Sequence, residues 1–477
     1  PGLLLPASGF SLGLSVFPIS VWPVQPEFPI GASFLLFSSA QAASTPEYPI
    51  KKADESIAIP TALYFEDPQH QVDRETLLSQ DALGLIPWKT SQSLNFSYSK
   101  SRIWLKFLIS NPTQKDVRGA LEEKYPLIQR IEVYITRSLS TPLTYLVGSD
   151  FPFSQRPVQK RNFIFPFDLK AFEKALVYLS FESTGVMNCA LAFHTETHFF
   201  HRSLDDSVGL IYYGIVVAMV LYNFFLFLTL RELSYLYYLY YVFHVLFYCL
   251  LLMALDGTAY EIFWPNHPIW NQMSIPIFVG FHLIFLSAFA RSFLRTRKYS
   301  YLADLIFVVI SGFAVILIIG TFLSYGMYAN YSCSIFFILS QILICLASLL
   351  MVQKGSKSAR FFLAAFFLFF IFSILIATKD IGVLPVNFFT LYGPYLGSAG
   401  EIILLSFALA DRIKQLEQER KLATERLNQQ KLITERETLE KEKQQEIAAL
   451  AFQVSHNIRS PIATLDTALF HMGSVPE

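Results

Sequence analysis

The sequence is poor in charge and in cysteine. Only 16% of its 477 residues are Asp, Glu, Lys or Arg, whereas 53% are hydrophobic. Soluble globular domains carry about 25% charged residues, so this composition argues against a soluble enzyme and predicts a membrane protein. The four cysteines are too few for a disulfide scaffold, and only Cys189 lies outside the apolar region. We therefore expect no internal disulfide in the soluble parts.

The charges are unevenly distributed along the chain. Residues 207–410 hold only 15 of the 74 charged residues (37 basic and 37 acidic), while residues 411–450 hold 18. The formal net charge of zero is therefore a sum over unlike parts. It excludes a generally basic chain that coats nucleic acid, and the basic residues of 411–450 are matched by acidic ones. No nucleic-acid partner is expected.

Residues 1–45 have the character of a leader rather than of a folded domain. Within them, residues 31–43 resemble the end of a signal peptide, with Ala40 and Ala42 as the small residues before a cleavage site after Ala42. Residues 1–30 contain several prolines, and no basic segment precedes residues 31–43. A disordered, proline-rich leader is the alternative.

Residues 46–200 are predicted to form a soluble, all-β sensor domain. Short runs of alternating β-branched and aromatic residues occur at 101–110, 127–136, 163–169 and 176–181. Turn signals such as Asn111-Pro112 and Gly148-Ser149-Asp150 separate them. Several short strands at this spacing are typical of a sandwich or barrel.

Seven apolar segments follow, near residues 207–230, 235–255, 274–294, 302–323, 331–353, 361–381 and 390–410. Each is close to or above the roughly 20 residues that a helix needs to cross a hydrocarbon core about 30 Å thick. The soluble protein available could not cover seven such helices, so we predict a transmembrane bundle over residues 207–410. Short loops, few charges within the membrane and no pair of half-helices give little support to a transporter or channel.

Lysine and arginine in the loops indicate the orientation. The loops after the second and fourth segments carry neither residue, and the sixth carries only Lys379. The positive-inside rule then places the β domain outside and the C-terminus in the cytoplasm. The basic residues of the loops after the first, third and fifth segments are Arg231, then Arg295, Arg297 and Lys298, then Lys354, Lys357 and Arg360.

Residues 411–446 are predicted to continue the seventh helix as a parallel, dimeric coiled coil that leads into a dimerisation segment at residues 447–477. The five-residue step from Leu427 to Leu432 interrupts the heptad, as a stutter would. A single exposed helix with Glu–Lys pairs is the alternative. The seam positions are Ile413, Leu416, Arg420, Ala423, Leu427, Leu432, Leu439 and Glu446.

One histidine near the end of this helix has surroundings suited to phosphoryl transfer. On an exposed helix face, His456 offers an imidazole nitrogen to an in-line phosphoryl donor, and Arg459 can engage a phosphate. Pro461 has no N–H and frees the carbonyl of Asn457, which predicts a bend beside the histidine. An apolar stripe for a dimer seam is formed by Ile447, Leu450, Val454, Ile458, Ile462 and Leu465.

The run Ser455-His456-Asn457-Ile458-Arg459-Ser460-Pro461-Ile462 resembles the H-box of bacterial sensor histidine kinases, whose pattern is Ser-His-Glu-Leu/Ile-Arg-Thr/Ser-Pro-Leu. The resemblance implies that His456 is the phosphoacceptor of a protein-histidine kinase in a two-component system, with a homodimer and a response regulator as partner. Asn457 departs from the pattern. An amide can orient the imidazole but cannot take up a proton as Glu or Asp would.

Kinases of this family also carry an ATP-binding domain, whose nucleotide motifs do not occur in this sequence. We therefore expect the sequence to be part of a longer kinase and inactive alone, with ATP and Mg²⁺ bound by the remaining domain. The alternative is a ligand-binding seven-helix receptor whose tail serves only dimerisation or partner docking.

Residues 50–410 resemble a second family, the seven-transmembrane receptors with diverse intracellular signalling modules. The resemblance rests on residues 104–112, 125–134, 148–153 and Arg156-Pro157 in the soluble part, and on residues 212–223, 234–238 and 259–265 in the membrane part. It implies a jelly-roll-like extracytoplasmic domain for a small ligand, for which carbohydrates are often suggested, in a protein of the bacterial inner membrane. Trp104 and Tyr134 are expected in the core rather than on a sugar-binding surface.

Three histidines before the first membrane segment, His194, His198 and His201, are spaced as on one face of a helix. Zinc could bind such a face, but we favour a polar junction at the membrane surface and expect no metal.

Three ionisable residues lie within the predicted membrane segments, namely His244, His282 and Glu401. Such residues face the bundle interior, where they form a relay or switch, or are satisfied as buried polar groups. A retinal receptor is disfavoured because the seventh segment has no lysine.

Overall fold

The computed structural model describes residues 44–472, apart from residues 53, 92, 202–203, 231–235, 325–326, 357 and 386. Almost all of the predicted leader, with Ala40 and Ala42, lies outside the described residues. So do Arg231 and Lys357 of the loops that indicate the orientation.

The N-terminal part is built from short strands, which confirms the predicted β-sheet domain. They are β1 (Glu47–Pro49), β2 (Ser56–Ala58), β3 (Leu63–Asp67), β4 (Lys89–Thr90), β5 (Asn95–Tyr98), β6 (Arg102–Ser110), β7 (Val117–Glu123), β8 (Arg130–Arg137), β9 (Leu143–Val147), β10 (Phe163–Leu169), β11 (Lys174–Glu182), β12 (Val186–Asn188) and β13 (Leu191–Thr195).

Two main sheets enclose the core of this domain. The first has the strand order β4-β3-β6-β11-β8-β9, and β1 pairs in parallel with β6. The second has the order β10-β7-β13-β2, and β5 pairs with β12 in a small third sheet. Alternate residues of the main sheets point inward, so Phe107 and Val133 of the first sheet and Phe165 and Phe193 of the second are buried in one cluster.

The β domain also contains a helix that the sequence pattern did not predict. Helix α1 (Arg74–Ala82) begins after Asp73, whose carboxylate accepts a 2.8 Å hydrogen bond from the Thr76 N–H. Its buried residue Leu77 packs in a second cluster with Trp104 and Tyr178 of the first sheet. Trp104 is therefore buried beneath this helix.

The remaining chain is helical. Its helices are α2 (Glu196–His201), α3 (Leu204–Leu230), α4 (Leu236–Leu255), α5 (Thr258–Ile262), α6 (Pro268–Leu294), α7 (Thr296–Tyr299), α8 (Tyr301–Ser324), α9 (Met327–Gln353), α10 (Ser358–Asp380) and α11 (Phe388–Met472).

Six helices of the described chain are long and apolar enough to cross a membrane, namely α3, α4, α6, α8, α9 and α10. The seventh predicted segment, residues 390–410, forms the first part of α11 and packs against α10 and α3 in the same bundle. It is less apolar than the others because it contains Glu401, Pro394 and three glycines.

Those glycines allow α11 to approach α10 closely. A Cβ on Gly397 would lie 3.0 Å from the Cβ of Phe372, and one on Gly400 would lie 2.6 Å from Cδ2 of Leu368. Small residues at a helix crossing are how membrane helices gain van der Waals contact in the absence of a hydrophobic driving force.

Helix α11 continues for 85 residues, from the membrane bundle to Met472. From Glu417 onward every described side chain is exposed, including Leu427, Leu432 and Leu439 of the predicted seam. The side chains of Ile413 and Leu416 lie outside the described ones. The helix continues through Pro461 to Met472 without interruption.

Candidate functional site

Three residues of α11, spaced by three, each form a hydrogen bond to a different part of the bundle. Tyr395, Ser398 and Glu401 lie on successive turns and bond to the turn after α4, to α3 and to α4. We call these three residues the polar ladder. A hydrogen bond tolerates a change of only a few tenths of an ångström in its donor–acceptor distance. The three bonds together therefore determine the axial position and rotation of α11.

The top of the polar ladder lies at the outer surface of the bundle. Oδ2 of Asp256 accepts hydrogen bonds of 2.7 Å from the hydroxyls of both Tyr395 and Tyr213, the latter on α3. The same oxygen lies 3.4 Å from Nη1 of Arg161, which belongs to the β domain. One carboxylate therefore joins the extracytoplasmic domain, the first membrane helix and α11.

The turn that carries Asp256 requires a glycine. Gly257 has a φ of +80°, and a Cβ there would lie 2.8 Å from Cβ of Pro126 in the β domain. Only glycine adopts this conformation without strain while leaving room for Pro126. The turn at Gly257 thus allows Asp256 to lie next to Arg161 of the β domain.

The middle of the polar ladder is a hydroxyl pair. The side chains of Ser398 and Tyr212 share a 2.9 Å hydrogen bond, and both are buried. Because lipid offers no alternative partner, separating these hydroxyls would leave two buried polar groups unsatisfied.

The bottom of the polar ladder brings together the three ionisable residues that the sequence places in the membrane. Nε2 of His244 lies 2.8 Å from Oε1 of Glu401, and both side chains are buried. The rings of His244 and His282 have centroids 4.5 Å apart, and Nδ1 of His282 lies 3.4 Å from the carbonyl oxygen of His244. Within the described chain, Nδ1 of His244 and Nε2 of His282 have no hydrogen-bond partner. The cluster is therefore only partly satisfied.

Further contacts tie the β domain to the outer loops of the bundle. The Tyr260 hydroxyl donates to the carbonyl of Phe151 over 2.6 Å, and the Phe153 N–H donates to the carbonyl of Pro265 over 2.7 Å. On the other side, Nδ2 of Asn95 donates to the carbonyl of Lys379 over 2.9 Å. Motion of the domain would therefore reach the connection between α4 and α6 and the outer end of α10.

A buried arginine stabilises the segment that presents Arg161. Arg156 donates through Nη1 to the carbonyls of Lys160 and Arg161, over 2.8 and 2.6 Å. Its guanidinium lies 4.5 and 4.3 Å from the ring centroids of Phe153 and Phe163. Burial lowers the pKa of Arg156 to about 10, so it remains a cation at neutral pH.

The predicted phosphoacceptor segment lies far from the polar ladder. His456, Asn457, Arg459 and Pro461 are exposed on α11. His456 follows Glu401 by 55 residues, which at about 1.5 Å per residue is about 80 Å of helix. The two sites are connected through one continuous helix.

The three histidines considered for zinc do not share a helical face. His194 lies in β13, with Nε2 2.9 Å from Oε2 of Glu122. His198 lies in α2, stacks on His194 with ring centroids 5.6 Å apart, and places Nδ1 3.2 Å from Oδ1 of Asp54. The side chain of His201 lies outside the described ones. Among the described residues, no three His, Cys, Asp or Glu are grouped to hold a metal ion.

Sequence reasoning missed most of the polar ladder. It singled out Glu401 by charge but not Tyr395 or Ser398, because tyrosine and serine are common in membrane helices. Polar residues recur at every third position of the seventh predicted membrane segment, and this pattern could have revealed the polar ladder. Asp256 could have been noticed as an acidic residue at the outer end of the second segment.

Comparisons with known proteins divide the chain in the same way as the structure. Residues 206–412 match the family described as 7TM diverse intracellular signalling, and residues 60–195 match that described as 7TMR-DISM extracellular 2. No curated protein matches the chain. The polar ladder lies in the first match and Arg161 in the second, so their contact at Asp256 joins the two modules.

Proposed function

Since the chain carries the membrane region and an extracellular module of the 7TM diverse intracellular signalling receptors, we propose that it is the sensor of a two-component system. It detects an extracytoplasmic small molecule, of which a carbohydrate is one candidate, and reports it through phosphorylation of His456. The observation that carries this proposal is the position of His456. It stands in a sequence that resembles the H-box, exposed on the same helix whose top is joined to the extracellular module through Asp256.

The chemistry at His456 needs an accessible imidazole and a second helix. An imidazole nitrogen attacks the γ-phosphorus of ATP held by a separate catalytic domain. The bond to the β-phosphate oxygen breaks, ADP leaves, and the ring loses its N–H proton to a base or to solvent. The phosphoryl group then passes to an aspartate of a response regulator. Because His456 is exposed, both ring nitrogens can be reached.

The exposed apolar stripe around His456 supports a homodimer. Ile447, Leu450, Val454, Ile458, Ile462 and Leu465 are all more than half exposed on α11. Their spacing of three or four residues is that of a coiled-coil seam. Two copies cross the membrane in the same direction, so their α11 helices run parallel and the two stripes face each other.

Signal transmission is assigned to the polar ladder. A ligand that shifts the β domain moves Arg161 relative to Asp256, and Asp256 is bonded to Tyr395 at the top of α11. A helix transmits a rotation or translation as a rigid element, and the stutter between Leu427 and Leu432 provides a place where two registers compete. The expected output is a change in access to His456.

The test is phosphotransfer to the full chain in lipid nanodiscs. The donor is the isolated ATP-binding domain of a related kinase with labelled ATP, and the variants are His456→Gln and, as matched control, His471→Gln on the same helix. Acid-labile, alkali-stable label that is lost only in His456→Gln supports the proposal. Equal labelling of wild type and His456→Gln would contradict it.

One residue favours a second candidate function. Asn457 replaces the carboxylate of the H-box, which favours a receptor whose tail serves dimerisation or docking without phosphorylation. Labelling of Asn457→Glu but not of wild type, with both dimeric and the donor active, would support this second function. Labelling of wild type at His456 would exclude it.

A further inference from the structure

A groove on the lipid-facing side of the bundle lies between α9 and α10. It has a volume of about 720 Å³. Its only charged lining residue is Arg360, near the start of α10, and the other lining residues are apolar or cysteine. The apolar side chains at its rim, such as Leu346 and Phe367, are 49% and 54% exposed. These residues are Ile342, Cys345, Leu346, Leu349 and Val352 of α9 and Leu363, Ala364, Phe367 and Phe370 of α10.

We propose that this groove binds an acidic phospholipid of the cytoplasmic leaflet, with one acyl chain between α9 and α10 and the headgroup phosphate at Arg360. This inference is independent of the role of His456.

The length and depth of the groove fit one acyl chain. It extends from Val352 to Ile342 on α9 and from Arg360 to Phe370 on α10, a rise of ten residues along each helix. At about 1.5 Å per residue this is about 15 Å, half of a hydrocarbon core about 30 Å thick. Since α9 ends and α10 begins at the cytoplasmic side, the groove runs from that interface to the middle of the membrane.

Charge selects an acidic lipid over a neutral one. Arg360 is exposed, and within the described chain its side chain forms no hydrogen bond or ion pair. A planar guanidinium binds phosphate through two parallel hydrogen bonds, and its apolar stem lies along the groove. Lys354, in the loop after α9, adds a second positive charge at the same surface. Anionic lipids in this leaflet attract such residues.

Binding of a lipid in the groove affects α11 through α10. A different face of α10 carries Leu368 and Phe372, which pack against Gly400 and Gly397 of α11. A lipid that separates or joins α9 and α10 therefore acts on the helix that carries the polar ladder.

The test uses the full chain, purified in detergent, stripped of lipid and titrated with phosphatidylglycerol or phosphatidylcholine while bound lipid is counted by native mass spectrometry. We expect wild type to bind phosphatidylglycerol roughly tenfold more tightly than phosphatidylcholine, and Arg360→Gln to lose that preference. Arg360→Lys should retain part of it. Lys298→Gln, which removes a cation of another cytoplasmic loop outside the groove, should leave it unchanged.

Ala364→Trp fills the groove and should abolish binding of both lipids at this site. Arg360 is exposed, so the Arg360→Gln variant is expected to fold. If Ala364→Trp does not fold, Arg360→Gln alone tests the proposal. An unchanged preference in Arg360→Gln would overturn the proposal. Efficient disulfide crosslinking of Cys345 between two copies in the membrane would also overturn it, because a second copy would then cover the groove.

Discussion

The hydroxyl of Tyr395 donates a 2.7 Å hydrogen bond to Asp256, although the two residues are 139 positions apart. Tyr395 lies at the outer end of the helix that continues into the cytoplasm, and Asp256 also faces Arg161 of the β domain. The contact between the extracytoplasmic domain and the output helix is therefore short and polar, with one carboxylate between them. Such a contact can exist in two discrete states, bonded or not, as a switch requires.

Removal of the Tyr395 hydroxyl should change signalling more than removal of the Tyr213 hydroxyl, which donates to the same oxygen of Asp256. Tyr395→Phe and Tyr213→Phe each delete one hydrogen bond of 2.7 Å to the same oxygen. Each should lower the free energy of unfolding by about 1.5–3 kcal/mol, as expected for a bond to a charged acceptor. Only Tyr395 is on α11, so only Tyr395→Phe should change the rate at which His456 is labelled by the donor domain.

Tyr213→Phe is the matched control, and melting temperatures of both variants in nanodiscs verify that the losses of stability are similar. If both variants alter the labelling rate to the same extent, the polar ladder does not transmit through Tyr395 in particular.

The stability that the interaction of Glu401 with His244 provides, at the bottom of the polar ladder, should depend on hydrogen bonding rather than on charge. Glu401→Gln keeps an oxygen that can accept from Nε2 of His244, now 2.8 Å from Oε1 of Glu401. Glu401→Leu leaves the imidazole buried without this partner, which costs about 1–3 kcal/mol. Thermal unfolding should therefore show a lower melting temperature for Glu401→Leu than for Glu401→Gln. A melting temperature of Glu401→Gln no higher than that of Glu401→Leu would contradict this, because a purely ionic interaction is lost equally in both variants.

The close approach of α11 to α10 should tolerate no added side chain at Gly397. In Gly397→Ala the new Cβ would be 3.0 Å from Cβ of Phe372, an atom near the backbone, so the two helices must give way by a few tenths of an ångström. Gly312→Ala on α8 is the control, since a Cβ there has nothing within 4 Å and alanine favours the helix by about 1 kcal/mol. We expect a lower melting temperature for Gly397→Ala and an unchanged or higher one for Gly312→Ala. Equal stability of the two variants would show that the crossing is not tight.

The coiled-coil stutter should matter for the response and not for the fold. Gln430→Leu combined with Thr434→Leu continues the alternation of three and four residues past Leu432, which moves the five-residue step from Leu427–Leu432 to residues 434–439; both sites are exposed on a single copy. These two substitutions favour one coiled-coil register. In their presence, adding Tyr395→Phe should no longer change the rate at which His456 is labelled. Leu substitutions at Glu425 and Lys431, off the seam, are the control for added hydrophobicity.

The β-sheet domain and the membrane helices could be predicted because each depends on local pattern. Alternation marks strands such as β6 and β8, and long apolar runs mark the spans. The polar ladder depends on contacts between residues more than 100 positions apart, such as Tyr212 with Ser398, for which a single sequence holds no distance information. Helix α1 was missed because its residues are mostly polar and only Leu77 is fully buried. His194 was placed on a helix because a spacing of four does not reveal that a strand ends at Thr195.

A buried carboxyl group in the extracytoplasmic domain makes stability depend on pH. Oε1 of Glu123 accepts hydrogen bonds from the N–H groups of Tyr125 and Ala190, over 2.9 and 3.1 Å. Within the described chain its Oε2 has no hydrogen-bond partner. Burial raises the pKa of Glu123 from 4.5 to about 8, and the neighbouring Glu122 acts in the same direction. The carboxyl group is therefore protonated in the folded domain at neutral pH.

Because the pKa of Glu123 is higher in the folded than in the unfolded state, the folded chain binds more protons between pH 4.5 and about 8. Its contribution to stability is complete below the lower value and is lost as the pH rises through the higher one. The melting temperature of the full chain in nanodiscs should therefore fall across this range. Glu123→Gln keeps the acceptor for Tyr125 and Ala190 and cannot ionise, so its melting temperature should fall less. Parallel curves for wild type and Glu123→Gln would show that Glu123 does not titrate in this range.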